Sequence, residues 1–252
     1  LRSLGLTDVF LAYLSGYYKL DQLQTLGVGM RYFSLGNISF TDESGNPIRD
    51  GKPREFELSL GYSRLLAENF SAGINGKFIY SNLAAGQVVE STDIFAGTAF
   101  AADLSLTYRK PIKMGETPTV LTLGAAFTNI GSKITYTKSI NKDFLPANMG
   151  IGAGWEFNLD EHNSLTLLAD FNKLLVPTPT TTDADSNGRP DYRDKSPIAG
   201  ILGSFSDAPG GFSEEMREFS VSSGIEYWYD KQFALRAGYY YEDPTKGNRQ
   251  FL

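Results

Sequence analysis

Hydrophobic and polar residues alternate with a period of two along most of this chain. In residues 56–63, for example, the sequence FELSLGYS places an apolar or aromatic residue at every second position. Side chains two positions apart lie on the same face of a β-strand, so the pattern predicts strands with one apolar and one polar face. Nine segments show it: residues 26–32, 56–63, 70–80, 103–109, 121–129, 149–158, 165–171, 219–229 and 233–241. A tenth predicted strand, residues 9–18, is apolar on both faces.

The connections between these segments alternate strictly between short and long. The short connections are residues 19–23, 65–69, 110–118, 160–163 and 230–232, and the long ones are residues 35–54, 81–98, 131–145 and 176–217. Outer-membrane barrels have short periplasmic turns and long outer loops, and their tilted strands need about 9–11 residues to cross the bilayer. The sequence therefore predicts an all-β fold, a transmembrane antiparallel up-and-down β-barrel whose strands each cross the bacterial outer membrane. Residues 1–252 are expected to form a single domain.

Aromatic residues stand at the same end of several predicted strands, just before the short connections. Tyr18, Tyr62, Tyr108, Trp155 and Trp228 are examples. Rings with a polar edge favour the interface between membrane lipids and water, which suggests that this rim meets the periplasmic interface. The alternative is the general preference of tyrosine for strands.

The two ends of the chain predict that the barrel is incomplete. The last residues, QFL at 250–252, begin another strand, and no signal peptide is visible at the start. An open sheet edge in hydrocarbon would leave backbone groups unpaired, so we expect further N-terminal and C-terminal parts, with 12 to 14 strands in all.

Composition argues against several functional classes. The net charge is −6 without a cluster of Lys and Arg, so no nucleic-acid partner is expected. The chain has no cysteine, and its single histidine, His162, lies in a short turn without a nucleophile nearby in sequence. No catalytic residue is therefore predicted, and the protein is not expected to be an enzyme. No apolar run reaches the roughly 18 residues that a spanning helix needs.

The polar face of the predicted strands combines small residues with charges of both signs. The glycines either leave room for a plug or a passing molecule, or serve sheet curvature. Mixed signs favour ion pairs between strands over a selectivity ring of one sign. The glycines are Gly27, Gly29, Gly73, Gly124, Gly152, Gly154, Gly224 and Gly238, and the charged residues are Arg31, Glu57, Lys77, Asp103, Arg109, Asp170, Glu226, Arg236 and Glu242.

A candidate calcium site lies in the longest connection. Oxygen ligands at every second position, followed by glycine at the sixth, are typical of a loop that wraps Ca²⁺. The candidate ligands are Asp183, Asp185, Asn187, Asp191 and Asp194, with Gly188 at the turn. Aspartate at the last position, Pro190 and the lack of flanking helices depart from the full pattern, and an ordinary solvated turn is the alternative. No other cofactor is expected.

The same connection, residues 176–218, also carries an apolar stretch. Long outer loops are usually functional or disordered, and exposed apolar residues on them suggest docking to a partner. The candidate partner-binding residues are Ile198, Ile201, Leu202, Phe205 and Phe212. The alternative is that they fold back and cap the barrel.

Four stretches resemble the PorV (LptO) family of outer-membrane proteins, which belongs to the FadL-like barrels. They are GLTDVFLAYLSGYYK at 5–19, LPANMGIG at 145–152, FSVSSGIEYWY at 219–229 and ALRAGYYYEDPTKGN at 234–248. The second and third are shared widely among FadL-like proteins, so the first and fourth are the more specific. The resemblance implies a 14-stranded barrel, of which about ten complete strands are present here.

The resemblance also implies a role in the type IX secretion system. PorV-like proteins bind secreted cargo through its C-terminal signal domain and carry it from the large translocon barrel to the cell-surface attachment complex. The expected partners are therefore these proteins and membrane lipids. The alternative function is a FadL-type channel for hydrophobic small molecules, against which the polar, glycine-rich face counts. A third possibility, a membrane enzyme such as a lipid deacylase, lacks a nucleophile–base pair.

Overall fold

The computed structural model describes residues 9–41, 44–84, 86, 88–89, 92–138 and 142–251. Its main element is a sheet of eleven strands, whose described pairings are antiparallel. The strands follow in the order β1 (Val9–Lys19), β2 (Gln24–Leu35), β5 (Arg54–Ala67), β6 (Phe70–Asn82), β9 (Gly97–Met114), β10 (Thr117–Gly131), β11 (Asn148–Asn158), β12 (Asn163–Leu174), β13 (Phe219–Tyr229), β14 (Phe233–Tyr241) and β15 (Gln250–Phe251).

All ten predicted strands are confirmed, and the predicted all-β meander is the observed one. Most strands extend beyond the predicted segments, most of all β9, which has 18 residues, whereas β13 and β14 coincide with theirs. The eleventh strand, β15, begins where the last residues predicted it. Alternation identifies only the part of a strand whose two faces differ, so it marks the middle of each strand better than the ends.

The register separates two faces. On β11, Ile151 lies opposite Ala125 and Phe171, whereas the next residue, Gly152, lies opposite Gly124 and Asp170. Ile151 and Phe171 are both exposed. We call the side with Ile151 the apolar face and the side with Gly152 the polar face. Many other large apolar side chains of the strands are exposed as well. Such exposure is unfavourable in water and suits contact with lipid.

The long connections contain elements of their own that the sequence did not predict. Strands β3 (Ile38–Thr41) and β4 (Pro47–Gly51) pair with each other, as do β7 (Val88–Val89) and β8 (Thr92–Asp93). Between β12 and β13 lie a 3₁₀ turn (Asp191–Arg193) and two helices, α1 (Pro197–Gly203) and α2 (Phe212–Arg217). Ser196 caps α1 by accepting a hydrogen bond from the Ala199 N–H at 3.2 Å, and Pro197 occupies the first helical position.

The chain divides into two compact units, and the expectation of a single domain stays a prediction. The first unit comprises Leu1–Tyr62, Asn75–Ala102 and Gly131–Leu145, and the second comprises Ser63–Ile74, Asp103–Ile130 and Pro146–Leu252. Within the described residues, no helix has the length and apolar character needed to cross a membrane.

In the first unit, the connection after β10 folds back onto the polar face. Its Ile134 and Tyr136 pack with Ala99 and Ala101, which alternation places on the same face of β9 as Asp103. The Tyr136 hydroxyl donates a hydrogen bond to Ser81 Oγ at 2.9 Å. This connection therefore covers the end of the polar face in its own unit.

Candidate docking surface between β12 and β13

In the second unit, the segment between β12 and β13 packs against the apolar face. Ile201 of α1 contacts a cluster built from Met149, Leu175 and Phe219, together with Ala147 and Phe127. The register places Met149 opposite Phe127 and Lys173, and Lys173 opposite Phe219. These side chains share a face with Ile151 and Phe171. The helices therefore cover the end of the apolar face that lies nearest the long connections.

The center of the covered region is a charged residue, Lys173. Only 1% of its surface is exposed, although it occupies an apolar-face position of β12. Its Nζ donates hydrogen bonds to Glu215 Oε2 at 3.0 Å and to Glu218 Oε2 at 2.5 Å. It also lies 5.6 Å from the centroid of the Phe219 ring. Removing one partner of such a buried pair typically costs about 3–5 kcal/mol, because the other charge is left uncompensated.

A second lysine, Lys246 in the connection between β14 and β15, extends the ion network. Its Nζ lies 2.7 Å from Glu214 Oε1 and 3.0 Å from Glu218 Oε1, so Glu218 joins both lysines. The hydrogen bond from Lys246 lowers the pKa of Glu214 below 4.5, and the same bond raises the pKa of Lys246 above 10.5. Helix α2 is thereby tied to two separate parts of the second unit.

The side of the helices away from the strands is apolar. Ile198, Leu202, Phe205 and Phe212 are exposed by 57%, 69%, 42% and 80%, and Met216 joins them at 51%. Ile198 and Leu202 are four residues apart on α1, as Phe212 and Met216 are on α2, so each pair shares a helix face. Four of the five predicted docking residues are thus exposed together in this segment, and Ile201 packs underneath. We call Ile198, Leu202, Phe205, Phe212 and Met216 the apolar ridge.

Sequence reasoning missed Lys173, Glu215 and Met216. Lys173 breaks the alternation on β12, where the other apolar-face residues are mostly Leu, Ala and Phe, and a lysine at such a position needs an acidic partner. This interruption of the apolar pattern was the signal from which Lys173 could have been identified. Glu215 and Met216 depend on recognising α2, which is too short to show a helical period in the sequence.

The candidate calcium ligands come together only in part. One carboxylate oxygen each from Asp183, Asp185 and Asp191 lies within 4.8 Å of the other two. Asp194 instead pairs with Arg189 at 2.6 Å, and the Asn187 side-chain amide donates to both Asp185 and Asp194. Gly188 adopts φ +80°, the left-handed conformation for which glycine is favoured. Three of the five predicted ligands therefore converge.

Several charged residues singled out from the sequence form ion pairs on the polar face or lie in a turn. Glu226 and Arg236 face each other across β13 and β14 and form an ion pair, as the mixed signs predicted. Arg109 lies 3.7 Å from Glu156. His162 is exposed in its turn, with Nδ1 3.2 Å from Asp230.

The glycines of β10 and β11 line a groove of about 570 Å³ on the polar face of the second unit. Its floor includes Gly124, Gly150, Gly152 and Gly154. The side chains of Asp170 and Asn172 reach across Gly152 and Gly150. At these two positions the lack of a Cβ leaves room for the neighbouring side chain, a reason that neither interpretation of the glycines had included.

Comparison with known protein families identifies the chain. Residues 2–181 match the family described as type IX secretion system protein PorV. The chain belongs to the PorV family. The predicted resemblance to PorV is confirmed, whereas membership of the wider FadL-like barrels stays a prediction. No curated protein matches the chain.

The PorV match covers β1 through β12 and ends before α1 and the apolar ridge. PorV proteins are components of the type IX secretion system, so this chain has a role in that system. An all-β sheet with an exposed apolar face is consistent with the outer-membrane location of such a component.

Proposed function

We propose that the protein is an outer-membrane barrel that binds secreted cargo through its C-terminal signal domain. In this proposal it collects cargo at the large translocon barrel and delivers it to the cell-surface attachment complex. Membership of the PorV family supports the secretion role, and the exposed apolar face of the sheet supports the membrane location. The long connections then lie outside the cell, where cargo emerges.

The observation that carries a binding role is the apolar ridge on α1 and α2. Exposed apolar side chains grouped in one segment are a mark of an interaction site, and aromatic residues such as Phe205 and Phe212 are common anchors in protein interfaces. The ridge is held on a folded support, since Ile201 and the Lys173 network fix the helices beneath it. We propose that the ridge contacts the translocon barrel or the cargo domain.

The alternative, a channel for hydrophobic small molecules, receives less support from the described residues. Such a channel needs a continuous apolar path, and in the groove on the polar face the apolar Leu106, Val120 and Leu168 are interrupted by the charged Glu156 and Asp170. We therefore retain secretion as the proposed function.

Substitution of the ridge tests this proposal. Leu202→Asp and Phe212→Asp each place a charge on the ridge. We expect each to reduce recovery of the translocon barrel and of cargo at least about tenfold, because a carboxylate buried without a partner in an interface is costly. The assay is affinity purification of the tagged protein from native membranes, with surface attachment of cargo scored in the same cells.

Ile48→Asp is the matched control. Ile48 is also an exposed isoleucine in a long connection, on β4, but it lies outside the ridge. We expect it to leave partner recovery unchanged. Full recovery of both partners by the two ridge variants would refute docking at the ridge, and uptake of a labelled fatty acid by the wild-type protein would support the channel instead.

A further inference from the structure

Helix α2 is held to the strands mainly by charge. Glu215 is buried and Glu218 is half-buried, and both accept hydrogen bonds from Lys173, which is itself almost wholly buried on the apolar face. The remaining oxygen of Glu215 accepts a hydrogen bond from the Ala208 N–H at 2.8 Å, so the network also fixes the loop before α2. The apolar contacts beneath the helices come chiefly from Ile201.

We infer that Lys173 is the positioning residue that holds α2, and with it the Phe212 and Met216 part of the apolar ridge, in a single preformed arrangement on the strands. The inference rests on the proposed function, because the ridge matters only if a partner docks there. Lys173 does not reach the ridge itself. It acts through Glu215 and Glu218, which place α2, and through α2, which places Phe212 and Met216.

The physical reason is the cost of separating the network. If α2 moved away from β12, the Lys173 ammonium would remain on an apolar face without an acidic partner, and the apolar cluster with Met149 and Phe219 would become exposed. Both effects favour the closed arrangement. A partner therefore binds to a surface that is already ordered. Binding then does not include the entropic cost of ordering a long connection, a cost that would weaken the affinity.

The absence of cysteine from the chain permits a direct test. Ser204, at the end of α1, is buried with 1% exposure and lies four residues before Ala208, whose N–H is held by Glu215. A cysteine introduced by Ser204→Cys therefore reacts with a water-soluble maleimide only when this part of the segment opens. Ser206, two residues later, is exposed, and Ser206→Cys controls for reagent and local chemistry. Both are made in the full chain in native outer membranes.

We expect Lys173→Ala to raise the labelling rate of Ser204→Cys at least about tenfold and leave that of Ser206→Cys unchanged. Lys173→Arg, which keeps the charge, restores slow labelling in part. Lys195→Ala is the matched control, because Lys195 lies in the same segment but pairs with Asp207 outside the network. Equal, slow labelling of Ser204→Cys in Lys173→Ala and wild type would overturn the inference.

Glu215→Gln keeps the inference testable if Lys173→Ala fails to assemble. This change leaves β12 intact and removes one charge from α2, and we expect it to raise labelling of Ser204→Cys several-fold. Unchanged labelling would overturn the positioning role of Lys173.

Partner recovery is measured on the same variants and separates the two proposals. Fast labelling with reduced recovery supports both. Fast labelling with full recovery supports the positioning role of Lys173 and refutes docking at the ridge.

Discussion

Asp170 lies directly opposite Gly152 between β11 and β12, and its carboxylate occupies the space where a side chain at position 152 would begin. A Cβ at that position would approach Asp170 Oδ1 more closely than the 3.0 Å that real contacts respect. Gly152 thus leaves space for the Asp170 carboxylate. Gly124, which pairs with Gly152 on the other side, has no such constraint, since its nearest neighbour is the Leu106 carbonyl at 4.0 Å.

We predict that Gly152→Ala destabilises the protein by about 0.5–1.5 kcal/mol, because the Asp170 carboxylate, at the end of a flexible side chain, must rotate away. Gly124→Ala is the control and should leave stability unchanged or raise it slightly, since alanine has less backbone entropy to lose. Equilibrium unfolding of the refolded protein in detergent measures both. Combining Gly152→Ala with Asp170→Ala should recover most of the loss, and a double variant no better than Gly152→Ala would contradict the steric explanation.

The ion pair between Glu226 and Arg236 provides a second prediction. Glu226 also accepts a hydrogen bond from Trp228 Nε1 at 2.6 Å, and the Arg236 guanidinium lies 5.2 Å from the Trp228 ring centroid. A double-mutant cycle with Glu226→Gln and Arg236→Gln should give a coupling free energy of about 0.2–1 kcal/mol, the usual range for cross-strand pairs. Zero coupling would show that the two side chains lie close together without contributing to stability.

The calcium site stays a prediction, and the three converging carboxylates sharpen it. We expect calorimetric titration to show Ca²⁺ binding with a Kd of about 0.1–1 mM, as in extracellular calcium modules. Asp191→Asn should abolish the heat, because Asp191 belongs to the converging set. Asp194→Asn should preserve it, because Asp194 is engaged by Arg189. No heat above buffer for the wild type would end the proposal.

The pairing of Glu214 with Lys246 predicts a dependence of α2 on pH. The pKa of Glu214 is lowered, so its contribution is present above pH 4.5 and is lost as the pH falls through its lower folded value. The pKa of Lys246 is raised, so its contribution is present below pH 10.5 and is lost as the pH rises through its higher folded value.

A spin label at Ser213→Cys on α2 measures this directly. We expect a constant line shape across neutral pH and greater mobility below pH 4.5 and above pH 10.5. Lys246→Met should give greater mobility than wild type already at neutral pH, although Lys173 still holds Glu215 and Glu218. A line shape in Lys246→Met identical to that of wild type would show that the pair does not hold α2.

The helices α1 and α2 show where prediction from sequence stopped. The sequence marked Ile198, Leu202, Phe205 and Phe212 as exposed docking residues, and the structure exposes all four. It grouped Ile201 with them, but that residue packs against the strands. Apolar content alone does not separate the two sides of a helix of seven residues, because the segment is too short to show a period.

The sequence by itself determined the strands, their two faces and the alternation of short and long connections. Each of these is a local property, since neighbouring residues in a strand point to opposite sides whatever the rest of the chain does. The tertiary structure alone decided what each long connection covers. The contacts of Lys173 with Glu215 and Glu218 join residues 42 and 45 positions apart, and no local pattern specifies which distant acid will neutralise a buried lysine.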